Sequence, residues 1–272
     1  MQKFWNGIES GTPVVAAFTV LLLVAFANAA EDIQIAQSTP SPSTDTIVQN
    51  LMAANARRAA SLRGYRSKRI YKLDYSGIFG GHAEMQVEAT YRAPNEKTFK
   101  IVSESGSKLL IGRVLLKLLE SEEEAQQERN RKALELSPAN YDFKLERTEN
   151  SAAGDFYVLE VKPKKKTKYV YSGKLWVDAR DFAVARMEGS PASNPSFWVS
   201  HVDIQYQWSK IDGFWLPVHN YSVTNVRMGG RAVLNISYSD YQITAGNQAA
   251  GGKTGEKNPT LPDPAALSLQ AH

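Results

Sequence analysis

Residues 65–241 write apolar–polar alternation again and again, and nearly every run keeps its apolar residues on one side. Met85, Val87, Ala89 and Tyr91 alternate with Glu84, Gln86, Glu88 and Thr90. Tyr141, Phe143 and Leu145 alternate with Asp142, Lys144 and Glu146, and Val202, Ile204, Tyr206 and Trp208 with His201, Asp203, Gln205 and Gln207. Successive side chains of a strand point to opposite faces, so a period of two means one buried face and one wet face. A large antiparallel sheet of this kind has to cover its apolar side, and the sequence offers few helices to do so. Function then turns on what else that face holds.

The two ends have a different character. Lys3 lies in a short polar start, residues 14–26 are an apolar run, and Ala27-Asn28-Ala29 is a small-residue cleavage site. Together they read as a secretory signal peptide over residues 1–29, with an uncleaved anchor as the alternative. The apolar run is shorter than the ~20 residues a membrane-spanning helix needs, and no later run approaches that length. The chain contains no cysteine. That excludes a disulfide framework, cysteine-based metal sites, a thiol nucleophile and the acylated cysteine of a lipoprotein anchor. The expectation is an exported, untethered, monomeric protein of the periplasm. Its formal charge of +4 over 272 residues is only mildly basic. A nucleic-acid partner is thereby disfavoured, and an anionic membrane surface suits a basic patch better.

Residues 30–43, including the tract QSTPSPS, read as a flexible linker. Ser43 or Thr44 can cap a helix running to about residue 62, with Val48, Leu51, Met52, Ala59 and Leu62 on one face and Gly64 as its stop. Strands are predicted at 65–75, 83–92 and 97–104. A long helix at 107–134 then interrupts the sheet. Its first half is apolar over most of its circumference, and its second half is solvated, with Glu128 and Lys132 placed for an i,i+4 pair. Strands resume at 141–148, 156–162, 169–178, 182–188, 199–211, 214–226 and 232–243, and Asp212-Gly213 marks a hairpin. About ten strands at regular spacing predict a mainly β (α+β) fold, one open, curved antiparallel sheet or incomplete barrel. The N-terminal helix and the inserted helix would lie on its concave face. The domain is expected over 44–245, followed by a disordered tail over 246–272.

The second half carries a family likeness. Gly173-Lys174-Leu175-Trp176-Val177-Asp178 leads through a turn to Phe182-Ala183-Val184-Ala185-Arg186-Met187-Glu188-Gly189. Further on stands the hairpin Trp208-Ser209-Lys210-Ile211-Asp212-Gly213-Phe214-Trp215-Leu216-Pro217. With the order of elements, these residues resemble the LolA/LolB-like superfamily, which includes outer-membrane lipoprotein-sorting proteins and the N-terminal domain of RseB/MucB-type regulators. The resemblance spans roughly residues 44–243, and its motifs are structural turns. It implies a half-barrel whose apolar concave face, lidded by helices, holds lipid or lipoprotein acyl chains. It also implies an inner-membrane donor and an outer-membrane acceptor. The function expected is a periplasmic carrier in lipoprotein sorting or lipid transfer. The alternatives are an envelope sensor of the RseB/MucB kind and a packed scaffold without ligand.

Each candidate site residue has a structural reading beside the functional one. Leu110, Val114 and Leu118 on the inserted helix could line an acyl cavity or belong to a plain core helix. Trp198, Ile204, Tyr206 and Trp208 could line the same cavity or fill the core, with Trp198 near the cavity mouth. Burial of an acyl chain contributes roughly 0.8 kcal/mol per CH₂, so a modest cavity would suffice. Lys164, Lys165, Lys166 and Lys168, between two strands, could meet a membrane surface or an acidic partner. They could equally form a solvated loop that discourages edge-to-edge aggregation. Catalysis finds little support: His82, His201, His219 and His272 show no metal-ligand spacing, and HExxH and GxSxG are absent. No cofactor is expected, and no enzymatic activity. The mature chain should begin near Ala30. Sequencing the N-terminus of exported protein checks this, and an intact Met1 in a membrane pellet would contradict it.

Overall fold

The alternating runs form ten strands: β1 (Leu62–Ser76), β2 (Gly81–Arg92), β3 (Glu96–Gly106), β4 (Tyr141–Ser151), β5 (Gly154–Pro163), β6 (Tyr171–Asp178), β7 (Val184–Pro191), β8 (Val199–Ile211), β9 (Phe214–Val226) and β10 (Arg231–Ala245). These come from a computed structural model that describes residues 42–246, except 78, 79, 126–131, 133, 134, 153, 167–169, 195, 196, 198 and 228. The expected signal peptide, nearly all of the linker and the tail beyond 246 lie outside the described residues.

All ten strands belong to one antiparallel sheet in the order β3-β2-β1-β10-β9-β8-β7-β6-β5-β4, an open curved half-barrel. Consecutive strands are neighbours at every step but one. β3 and β4 form opposite edges, so the chain between them passes from one end of the sheet to the other. The inserted helix lies on that path. It begins as a short turn, α2 (Lys108–Leu110), passes through a π-helical stretch at Ile111–Leu115 and continues as α3 (Leu116–Ala125). The expected Glu128–Lys132 pair involves a residue outside those described.

Register carries one face across the whole sheet. Leu145, Leu159, Leu175, Met187, Tyr206, Asn220, Ile236, Tyr71, Met85 and Glu104 are successive cross-strand partners, one from each strand. The row is apolar except at Asn220 and at Glu104 on the free edge. Two core clusters sit on this face. Under α1 (Thr44–Ser61), Ile47, Val48 and Leu51 pack against residues of β4–β8. Under the inserted helix, Ile111, Leu115 and Leu119 pack against β1, β2 and β10. Between them runs β9, whose Asn220 and Ser222 are only 3% and 1% exposed.

Local chemistry explains several joints. The Ser43 hydroxyl accepts from Thr46 N at 3.2 Å and caps α1, as its sequence position predicts. Asp212 and Gly213 both take positive φ, 47° and 85°, which suits a tight turn whose twist matches its strands. Gly173 and Gly189, both in the family-like segment, are cross-strand partners. A Cβ on either would meet a carbonyl oxygen of the other strand, that of Glu188 or Ser172.

Three expectations need correcting. The first helix is not stopped by Gly64: it ends at Ser61 and the chain enters β1 at Leu62. Ala59 is exposed, and the buried stripe runs through Ala54, Asn55 and Arg58 instead. The guanidinium of Arg58 donates to the carbonyls of Asp181 and Phe182 at 3.0 Å and to Asn55 Oδ1 at 2.6 Å. It thereby pins the β6–β7 turn, in which Phe182 has φ 46°, so β7 starts at Val184 rather than at 182. Leu51 is fully buried between α1 and the sheet. Leu51→Ala should destabilise the protein by about 2–5 kcal/mol in a urea titration. A midpoint that barely moves would mean that α1 is a loosely seated cover.

Candidate functional site

The expected cavity residues fall into different surroundings. Ile204, Tyr206 and Trp208 are buried in the cluster under α1, where the Tyr206 and Trp208 rings stack at 5.4 Å. Leu110, Val114 and Leu118 are half-buried and pack on the other cluster. The structure does not bring the two sets into one cluster, and Trp198 lies outside the described residues. The inserted helix buries Ile111, Leu115, Leu119 and Glu122, a stripe at helical spacing. Leu110, Val114 and Leu118 form a second row beside that stripe, and Leu116 is likewise half-buried. Three of the large apolar side chains that stand open belong to this end of the sheet: Ile101 (40% exposed) and Val102 (54%) on β3, and Leu109 (59%) at the helix start.

The charge on the buried stripe is the feature the sequence reading missed. Glu122 receives Arg69 Nη1 at 3.0 and 2.9 Å on its two carboxylate oxygens, and Lys97 Nζ at 2.7 Å on Oε1. All three side chains are nearly inaccessible, at 4%, 1% and 1% exposure. The Arg69 guanidinium also lies 5.3 Å from the Phe99 ring centroid and 5.0 Å from that of Tyr238, within cation–π range. Burial opposes the charged form of Glu122, but Arg69 and Lys97 outweigh it and hold the carboxyl below the ordinary glutamate value. Burial also pushes the Tyr206 and Tyr238 hydroxyls well up, so both stay neutral. A sequence signal for the cluster does exist. Arg69 sits in phase with Tyr65, Tyr71 and Leu73 on the buried face, Lys97 in phase with Phe99, and Glu122 three residues beyond Leu119.

The lysine loop lies at the other end of the sheet. Lys164, Lys165 and Lys166 are exposed, and Lys168 lies outside the described residues. Lys164 donates to the Pro138 carbonyl and lines an open cleft of about 420 Å³ with Asp45, Gln49, Tyr141 and Asp142. His201 and Asp203 pair at 2.8 Å on the wet face, where their phase in β8 predicts them. Among the described residues no cluster of His, Cys, Asp or Glu is placed to hold a metal ion. No described helix is long and apolar enough to cross a membrane.

A family model described only as "Uncharacterized protein" matches residues 134–247. No curated protein matches the chain. Among solved structures, a DUF1329 family protein from Desulfovibrio piger is similar at 16% identity and a TM-score of 0.38, covering 76% of this chain and 96% of that one. A LolA superfamily protein from Nitrosomonas europaea is similar at 14% identity and 0.37, covering 75% and 94%. A putative outer membrane lipoprotein-sorting protein domain from Vibrio parahaemolyticus follows at 12% identity and 0.36, covering 75% and 95%. Two of these three bear names from the superfamily that the sequence resembles. The superpositions are loose, and the half-barrel assignment stands on the chain's own strand pairing.

The buried cluster has a stability signature. Glu122→Gln removes the carboxylate and leaves Arg69 and Lys97 facing an amide, which should cost about 3–5 kcal/mol. Because the folded-state carboxyl is depressed, its contribution is present above the ordinary glutamate value and is lost as pH falls through the lower folded value. The melting temperature of the wild type should therefore fall more steeply than that of E122Q across that acid window. Parallel pH profiles for the two proteins would show that the cluster adds nothing to folding.

Proposed function

We infer that the protein is a periplasmic carrier that holds acyl chains of lipids or lipoproteins against the concave face of its sheet. The site lies at the flank of the inserted helix, by Leu110, Val114 and Leu118. One observation carries this reading: the helix keeps a half-exposed apolar row beside its buried stripe, and Ile101, Val102 and Leu109 stand open at the same end of the sheet. A plain core helix presents one apolar stripe and polar residues elsewhere. Exposed apolar side chains gathered at one end of a sheet mark a place where something binds.

The half under α1 does not serve as the cavity in this reading. Its Ile204, Tyr206 and Trp208 are packed, and the exposed apolar side chains lie beside the inserted helix rather than under it. Catalysis is not proposed, since the described histidines pair with Asp74, Asp203 and Asn235 on half-buried or exposed ground, away from the apolar row. The exposed lysines of the β5–β6 loop are suited to touch an anionic membrane surface during delivery.

Native mass spectrometry after gentle purification should find co-purified lipid. Val114→Asp and Leu118→Asp should weaken uptake of a fluorescent lipid about tenfold or more, since a charge facing hydrocarbon is costly. Their melting temperatures should stay near that of the wild type, because both positions already reach water. Undiminished uptake by folded variants would move the cavity elsewhere, and absence of any acyl binding by the wild type would leave a packed scaffold.

A further inference from the structure

The acyl site proposed above, on which this inference rests, runs up to two buried cations that the protein neutralises with its own carboxylate. Arg69 and Lys97 project from β1 and β3 onto the concave face, and the group that lies between them is the carboxylate of Glu122 on the inserted helix. Arg69 presents its Nη1 to both oxygens of that carboxylate, a charge-assisted contact that another anion carrying two oxygens can accept. Its Nε–H, also fully buried, has no hydrogen-bond partner, so the guanidinium retains donor capacity that Glu122 does not use. The Ser67 hydroxyl, two residues along the same face of β1 and 4% exposed, is likewise without a partner. Buried donors left unmatched are uncommon and costly. Here two of them stand side by side on the strand that carries the arginine.

The apolar row supplies the other half of the fit. Leu115 and Leu119 lead along the helix to Glu122, and Leu110, Val114 and Leu118 run beside them. An apolar track ending at a cationic group has the polarity of a single acyl chain with an anionic head. We propose that the ligand is an anionic amphiphile whose carboxylate or phosphate head displaces Glu122 from Arg69 and Lys97 while its chain lies along the row Leu110, Val114 and Leu118. Glu122 is then an internal stand-in for the head group, and the helix is seated by the same contacts that the ligand would make. Withdrawal of the Glu122 carboxylate and entry of the ligand head become one exchange, with the buried cations neutralised at both ends of it.

The test rests on the carrier reading and separates from it. The purified full chain is titrated with oleate, oleyl phosphate and oleyl alcohol, three ligands with one chain and different heads, by displacement of a fluorescent fatty-chain probe. The wild type should bind at least one anionic ligand about tenfold or more tightly than the alcohol, the range of a charge-assisted hydrogen bond. Oleate against oleyl phosphate tells which head fits. R69Q and K97Q should each narrow that preference, whereas K72Q, on the outer face, should leave it alone. E122Q, which removes the competing carboxylate, should tighten the anionic ligands about tenfold and leave the alcohol unchanged. Where E122Q is too unstable to titrate, oleate should raise its melting temperature more than that of the wild type, and oleyl alcohol should not. Equal affinity for all three ligands in the wild type overturns the head-group proposal and leaves the acyl carrier standing. Failure to bind any of the three removes the carrier reading itself.

Discussion

The pairing of β1 with β10 governs this molecule. It places β2 and β3 on one side of that pair and β4–β9 on the other, so that β3 and β4 end at opposite edges. The segment between them cannot be a short turn and has to travel the width of the sheet. A curved sheet with one apolar face leaves the inside as the place for an apolar helix on such a path. The long insertion, the covering of the β1–β2–β10 half and the burial of Glu122 all follow from that one non-local pairing.

The two halves of the concave face are covered by different means. α1 is held by a continuous apolar stripe and by Arg58, which grips two backbone carbonyls across 123 and 124 residues of sequence. The inserted helix combines an apolar stripe with a buried carboxylate held by two cations. A buried ion cluster is costly to break and contributes little over a well-packed apolar alternative. It differs from apolar packing in what can replace it: only another anion. Asn220 and Ser222 on β9 separate these regions with a narrow polar strip between apolar neighbours on β8 and β10. The face therefore has a packed half and a half with exposed apolar flanks, and the proposed binding belongs to the latter.

Strand pattern, hairpin chemistry and the capping serine are local properties, and the sequence expressed them well. Alternation located all ten strands, mostly within two or three residues at each end, Asp212-Gly213 marked its turn, and Ser43 its helix cap. The errors lie where a distant partner overrode a local rule. Phe182 reads as strand by composition but turns under the hold of Arg58, a residue in helical phase with Leu51 whose charge alone would leave it at the surface. The half-barrel class was legible because one-sided alternation with few helices admits few other architectures.

The candidate site divides along the same line. From the sequence alone came the strands, the single apolar face and a helix too apolar to be solvated all round, since each depends on spacing within a segment. Tertiary structure alone decided that Ile204, Tyr206 and Trp208 are packed under α1 and that Leu110, Val114 and Leu118 keep partial exposure. It also decided that Arg69, Lys97 and Glu122 meet. Arg69 and Glu122 lie 53 residues apart, and neither could be recognised as half of a buried pair until strand pairing and the crossing helix fixed the space between them. A periodic pattern names the face a residue points to. Only the fold supplies what stands opposite.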